Sequence, residues 1–310
     1  MAIRKTRVVL TASILLGVLV AGCSDTGGLW QQRAEPKVIR DIMWAWGNPE
    51  MTVEYASSCP KGFQGEHNLA TFAQASPLQR AQLLDVPNII MAGLGLPDTD
   101  EEADQLTKEV KGMDRIVWEI MADGRKVKAP YSYTKRTAQL RKLVDKYPNI
   151  EGIILDDMST LGITHGFKPE HIRDIRSQLS GKYSKVEVGG VLYTMSFDRP
   201  GMNAYIDELD VISLWTWHAR DLVNMEKNVA HCENNWPDKP IILGLYLYDY
   251  GQGRKMPRDL LEMQFETALK LAHAGRIEGI VLLTIKNDPE TVKRTIEWVK
   301  CVGNQKLKTR

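Results

Sequence analysis

The chain has 310 residues, 43% of them hydrophobic and 25% charged, a balance that supplies a full core and excludes wholesale disorder. Lys and Arg number 40 against 39 Asp and Glu, so no field of one sign exists to recruit nucleic acid. Four cysteines are too few to staple a chain of this length.

Residues 1–22 read as a targeting segment. Arg4, Lys5 and Arg7 form a positive start, and Val8 to Ala21 is mostly apolar but short for a membrane span. The segment ends in Val20-Ala21-Gly22-Cys23, which resembles the lipobox of bacterial lipoproteins. The resemblance implies cleavage before Cys23 and lipidation of that cysteine. Ser24 follows, not Asp, which by the same resemblance implies the outer membrane of the cell envelope, facing the periplasm or the cell surface. Loss of Arg4, Lys5 and Arg7 takes the net charge from +1 to −2. Residues 23–37, with Gly27-Gly28 and Pro36, read as the lipidated residue and a tether. Cys59, Cys232 and Cys301 remain after export, an odd number whose pairing the sequence leaves open.

From residue 38 to 304, short apolar runs alternate with amphipathic stretches, and 305–310 form a tail. Strands are expected near 41–47, 88–94, 115–121, 152–157, 186–194, 210–217, 240–248 and 278–285. Helices are expected near 66–84, 99–111, 133–147, 169–180, 200–208, 219–233, 257–274 and 288–301. The seventh is the plainest: Pro257 suits a first turn, Leu261, Phe265, Ala268 and Leu271 share a stripe, and Gly275 suits a stop. Continuously apolar strands alternating with helices imply a parallel sheet covered by helices. Eight such units imply a (β/α)8 TIM barrel, whose usual length of about 250 residues matches the run. A doubly wound open sheet is the alternative, but no G-x-G-x-x-G follows a strand.

In such a barrel the chemistry sits at the C-terminal strand ends. Side chains alternate along a strand, so the aliphatic row of each should meet helices and the polar row the barrel axis. Strand 4 then aims Gly152, Ile154 and Asp156 inward, with Asp157 just beyond. Strand 7 aims Gly244, Tyr246 and Tyr248 inward, with Asp249 next. Strand 3 offers Glu119, strand 8 Thr284 and Lys286, and strand 5 Tyr193. Strand 1 offers Trp46 and Asn48, then Glu50; strand 6 sets Thr216 and His218 opposite Trp215 and Trp217. Carboxylates do acid and base work, and aromatic faces stack on sugar rings. Asp156, Asp249 and Glu119 are the candidate catalytic acids. Asp157, His218, Trp46, Asn48, Glu50, Tyr193, Trp217, Tyr246, Tyr248 and Lys286 are the candidate substrate contacts. Glycoside hydrolysis needs two such carboxyl groups, roughly 5–5.5 Å apart for retention or 6.5–9.5 Å for inversion. Each residue also has a structural alternative: Asp156-Asp157 as a turn cap, Glu119 as the partner of Lys286, His218 as a satisfied strand-end histidine, and the aromatic residues as core.

The run Gly152-Ile153-Ile154-Leu155-Asp156-Asp157 resembles strand 4 of (β/α)8 glycoside hydrolases. Set against the chitinase-type pattern D-G-x-D-x-D-x-E, Gly152 matches the glycine and Asp156 the last aspartate. Ile154 stands where an aspartate is expected and Met158 where the catalytic glutamate is, so the resemblance carries no chitinase mechanism. Runs such as Trp46-Gly47-Asn48-Pro49-Glu50 and Tyr246-Leu247-Tyr248-Asp249-Tyr250-Gly251 make the chain similar to uncharacterised bacterial lipoproteins with a glycosidase-like barrel. That implies a fold and a compartment, with a carbohydrate as ligand and the membrane reached through Cys23. No H-E-x-x-H, paired C-x-x-C or G-x-S-x-G occurs, so no metal or other cofactor is expected. Two other functions remain: a carbohydrate-binding lipoprotein without catalysis, and a lyase or aldolase using Lys286.

Overall fold

Runs of β-branched and aliphatic residues, each a strand in length, pair in parallel and close into a ring. In the computed structural model, residues 37–47, 75–93, 95–121, 133–163, 166–283 and 288–308 are described. The strands of the ring are β1 (Met43–Gly47), β2 (Asn88–Met91), β3 (Arg115–Glu119), β4 (Ile150–Leu155), β5 (Glu187–Tyr193), β6 (Val211–Trp215), β7 (Ile241–Tyr246) and β10 (Gly279–Leu283). They follow one another around a closed barrel in the order β1-β10-β7-β6-β5-β4-β3-β2. A two-stranded antiparallel ribbon, β8 (Tyr248–Asp249) with β9 (Arg254–Lys255), follows β7. The (β/α)8 expectation therefore holds, and the open doubly wound sheet does not.

The helices are α1 (Pro77–Leu84), α2 (Asp100–Val110), α3 (Tyr133–Lys146), α4 (Pro169–Gln178), α5 (Met202–Ile206), α6 (Met225–Asn235), α7 (Arg258–His273) and α8 (Pro289–Val302). Their starts are written locally. Ser76 and Gln79 form a reciprocal capping box at α1, Thr99 caps α2, and Asp288 with Pro289 opens α8. The sixth helical stretch is broken where the sequence suggests one helix. Residues Ala219–Asn224 form a 3-10 turn before α6, and the Asp249 carboxylate accepts the first amide of that turn, Ala219 N, at 3.2 Å.

Strand register identifies the inner face. Tyr193 pairs with Trp215, Trp215 with Gly244, and Trp46 with Leu283. The rings of Trp46 and Trp215 meet edge to face at 5.2 Å although β1 and β6 are not neighbours, so both cross the interior. Gly244 makes this possible: a Cβ there would lie 2.1 Å from the Trp215 ring. At the base, an extra residue shifts the β3–β4 register. There Glu151 accepts from Arg115 at 2.6 Å, and that guanidinium lies 4.5 Å from the Trp44 ring centre. The interior is thus filled with side chains and is no channel. Lys37–Ile39 and Gln305–Leu307 are joined by backbone hydrogen bonds beneath the barrel.

The leader 1–22, Cys23 and the tether up to residue 36, Asn48, Glu50, Cys59, Thr284, Lys286 and residues 66–74 of the first helical stretch lie outside the described residues.

Candidate active site

Alternation carries Glu119 to the inner face at the C-terminal end of β3, where its register partner is Ile154. The side chain is 2% exposed. Its Oε2 accepts from the amides of Gly93 and Gly95, the latter at 3.0 Å, so the loop after β2 is draped over the carboxyl group. Burial pushes the Glu119 proton affinity up to about 8, with Asp157 adding to it. The two amides and Arg136, reaching in from α3, act against the rise without cancelling it. Glu119 is therefore a carboxylic acid that holds its proton near neutrality.

Strand β4 ends two residues earlier than expected, at Leu155. The reason is backbone geometry. Asp157 takes a left-handed conformation, φ 51°, and a π-helical turn, Met158–Gly162, follows at once. Both features are costly for ordinary residues and concentrate at functional sites. Asp156 accepts its neighbour's amide at 2.8 Å, and Asp157 accepts from the Tyr193 hydroxyl at 2.7 Å. Both aspartates are partly exposed. Met158, at the position of the chitinase glutamate, is buried and packs on the β5 backbone at Gly190. It is core.

An aromatic wall faces these acids. Tyr193 and Tyr246 are buried at the ends of β5 and β7. Burial first, then the charges of Asp156 and Asp157, hold both phenols well above the ordinary tyrosine value. Trp217 meets Tyr193 at 5.6 Å, Tyr246 at 6.0 Å and Tyr250 at 5.4 Å. Trp217, Tyr248 and Tyr250 are half-buried and present their remaining surface at the rim. Trp46 is buried against Trp215 and forms the floor of the mouth.

A candidate catalytic acid, Asp249, and a candidate contact, His218, are engaged with the loops after β6 and β7. Asp249 is 1% exposed, and its carboxylate accepts from the amides of Ala219 and Gln252 and from Arg254 Nε at 3.2 Å. It ties the loops after β6 and β7 together. His218 lies past the end of β6, its ring against Gly251, where a Cβ would stand 1.9 Å from Nδ1. Its Nδ1 is buried and finds no hydrogen-bond partner among the described residues. The structure thus brings together Glu119, Asp156, Asp157, Tyr193, Trp217, Tyr246 and Tyr248. Sequence reasoning missed Tyr250 as a wall residue, although the i, i+2, i+4 spacing of Tyr246, Tyr248 and Tyr250 was a signal for it. It also missed the Gly93 and Gly95 amides and Arg136, for which no local signal exists. Among the described residues, no cluster of three or more His, Cys, Asp or Glu is arranged to hold a metal ion.

The closed barrel has acids on one arc of its mouth and aromatic rings on the other, and solved structures match it at the level of fold. The chain is similar to the GH99 endo-alpha-mannosidase from Bacteroides thetaiotaomicron, with a TM-score of 0.53 and 9% identity over 84% of this chain and 97% of that one. It is similar to the spore cortex-lytic enzyme SleL from Bacillus megaterium QM B1551, with a TM-score of 0.52 and 9% identity over 86% and 75%. It is also similar to active domain 2 of a thermostable chitinase from Pyrococcus furiosus, solved with chito-oligosaccharides, with a TM-score of 0.51 and 10% identity over 88% and 99%. Identity this low establishes the fold and leaves the chemistry to the site. The sequence matches no protein-family model and no curated protein.

Proposed function

We propose that this protein is a carbohydrate-active enzyme of the glycoside-hydrolase type, working with a carboxyl pair at the junction of β3 and β4. The observation that carries the reading is the placement of Glu119, a carboxyl 2% exposed under the Gly93 and Gly95 amides at the end of β3, across the seam from the aspartates that end β4; burial and the Asp157 charge favour its protonated form. Glycoside cleavage needs one protonated carboxyl for the leaving oxygen and one ionised carboxylate to attack or to activate water. Glu119 supplies the first. Asp156 supplies the second, with Asp157 setting the local charge. Trp217, Tyr248 and Tyr250 receive sugar faces, and Tyr246 a hydroxyl. Asp249 acts here as a loop anchor.

A screen of the protein against a polysaccharide panel tests this. Product release lost in Glu119→Gln and Asp156→Asn, with ligand binding retained, is the expected result. A specific observation also favours a second reading, a carbohydrate-binding lipoprotein without catalysis: Met158 replaces the chitinase-type glutamate, and Asp249 is consumed by its loop. Binding without turnover on every substrate would select it.

The anchor belongs to the same proposal. Lipidation of Cys23 would hold the barrel at the cell envelope, at the outer membrane, through residues 24–37. Incorporation of a labelled fatty acid, lost in Cys23→Ala, is the measurement.

A further inference from the structure

The end of β4 is gripped by the segment after β5 at several points besides the phenol. Tyr193 N donates to Ser159 Oγ at 3.2 Å, Ser196 Oγ donates to Ser159 O at 3.2 Å, and Arg199 Nη1 donates to the same carbonyl at 2.8 Å. Ser159 and Ser196 are both buried. The π turn and the start of the β5 loop are therefore fixed to each other independently of the phenol. On that frame the Tyr193 hydroxyl donates to Asp157 Oδ1 at 2.7 Å. The left-handed backbone at Asp157 breaks the alternation of β4. Asp156 continues the inward row begun by Gly152 and Ile154, and Asp157 is delivered to the phenol.

We propose that Tyr193 is a positioning residue that fixes the Asp157 carboxylate as the charged partner of Glu119 across the β3–β4 seam. The inference rests on the hydrolytic reading above and gives Asp157 a role distinct from substrate contact. A carboxylate left to rotate would turn to water, where its charge is screened. Held by a buried phenol, it stays where it disfavours ionisation of Glu119. The other groups facing this pair are the Gly93 and Gly95 amides from the loop after β2, Arg136 from α3, Tyr246 from β7 and the neighbouring Asp156. No proton needs to move between Tyr193 and Asp157, since the phenol is held well above its ordinary proton affinity.

The test follows the titration of Glu119 by carboxyl NMR in the full-length protein, alongside kcat and KM across pH. Asp157→Asn should lower the Glu119 midpoint, and Tyr193→Phe should lower it too. The double variant should match Asp157→Asn alone, because the phenol acts through the aspartate. In Tyr193→Phe, kcat should fall by up to about 100-fold with KM nearly unchanged, the scale of a misplacement of roughly 1 Å. Additive shifts in the double variant, or a Glu119 midpoint untouched by Tyr193→Phe, would overturn the proposal. Should Tyr193→Phe fold poorly, the Tyr193 hydroxyl proton of the wild type serves instead. It should exchange slowly and move on Asp157→Asn, and a fast-exchanging or unmoved signal counts against the proposal. Midpoints that shift as expected in a protein that cleaves no sugar would keep the positioning role and discard hydrolysis.

Discussion

Two acids sit at the barrel mouth with almost the same burial, Glu119 at 2% and Asp249 at 1% exposure, and they have opposite surroundings. Asp249 meets an arginine and two amides, all from the loops it joins. Each of its partners is a donor, and the result is a brace between the loops after β6 and β7. Glu119 also meets two amides, with Arg136 from α3 on one side and the negative charge of Asp157 on the other, but burial dominates its surroundings. Burial, with the Asp157 charge added, outweighs the two amides and Arg136 and turns the same chemical group into a proton reservoir. Exposure alone therefore does not identify a working acid; the sign of the charges around it does.

The comparison can be broken by substitution. The largest effect is expected from Glu119→Gln, which should lower kcat by about 10²–10⁴-fold, the scale of general acid catalysis. The same change should remove an alkaline weakness. Glu119 ionises near its ordinary 4.5 when unfolded and near 8 when folded, so the folded state holds the extra proton between those values. Its contribution to stability is complete below the lower value and is lost as pH rises through the upper one. Denaturant unfolding at pH 9 should accordingly find Glu119→Gln more stable than wild type, with the difference vanishing at pH 4. Equal pH profiles for the two proteins would remove Glu119 from the acid role.

Next comes the floor between the two regions. Trp215→Ala should cost roughly 3–5 kcal/mol of unfolding free energy, because Trp46, Tyr246 and the Gly244 backbone all lean on its ring. Asp249→Ala should cost about 2–3 kcal/mol by leaving the Ala219 and Gln252 amides without their acceptor. That loss should appear as lower stability together with a raised KM, since Tyr248 lies on β8 and Tyr250 on the turn that follows it. A pure kcat defect in Asp249→Ala would place it back among the catalytic acids. The smallest effect is expected from Arg258→Ala. It breaks an exposed helical pair with Glu262 and should move stability by less than about 0.5 kcal/mol in a thermal melt.

The barrel was legible because its signals are local and repeated. All eight strands fall within or beside the expected ranges, since buried parallel strands must be continuously apolar. Asp288-Pro289 announced the start of α8, whereas α1 begins only at the Ser76 cap, inside the stretch expected from residue 66. Period-two alternation correctly sent Glu119, Gly244 and Tyr246 inward. It became uninformative where the backbone left the strand: at Asp157, whose left-handed turn no residue type announces, and at Trp217 and His218, which lie on a loop. It could not separate Glu119 from Asp249 either, because partners such as Arg136 and Arg254 come from a helix and a ribbon whose approach depends on the whole ring.

The amino-acid order alone settled the number of units, their alternation and the inward face of strands such as β4 and β7, for these follow from propensity and from periods of 2 and 3.6 residues. Only the closed ring decided which acid keeps a proton and which one braces loops. Desolvation and charge proximity are properties of neighbours far apart in the chain, and no window of sequence contains them.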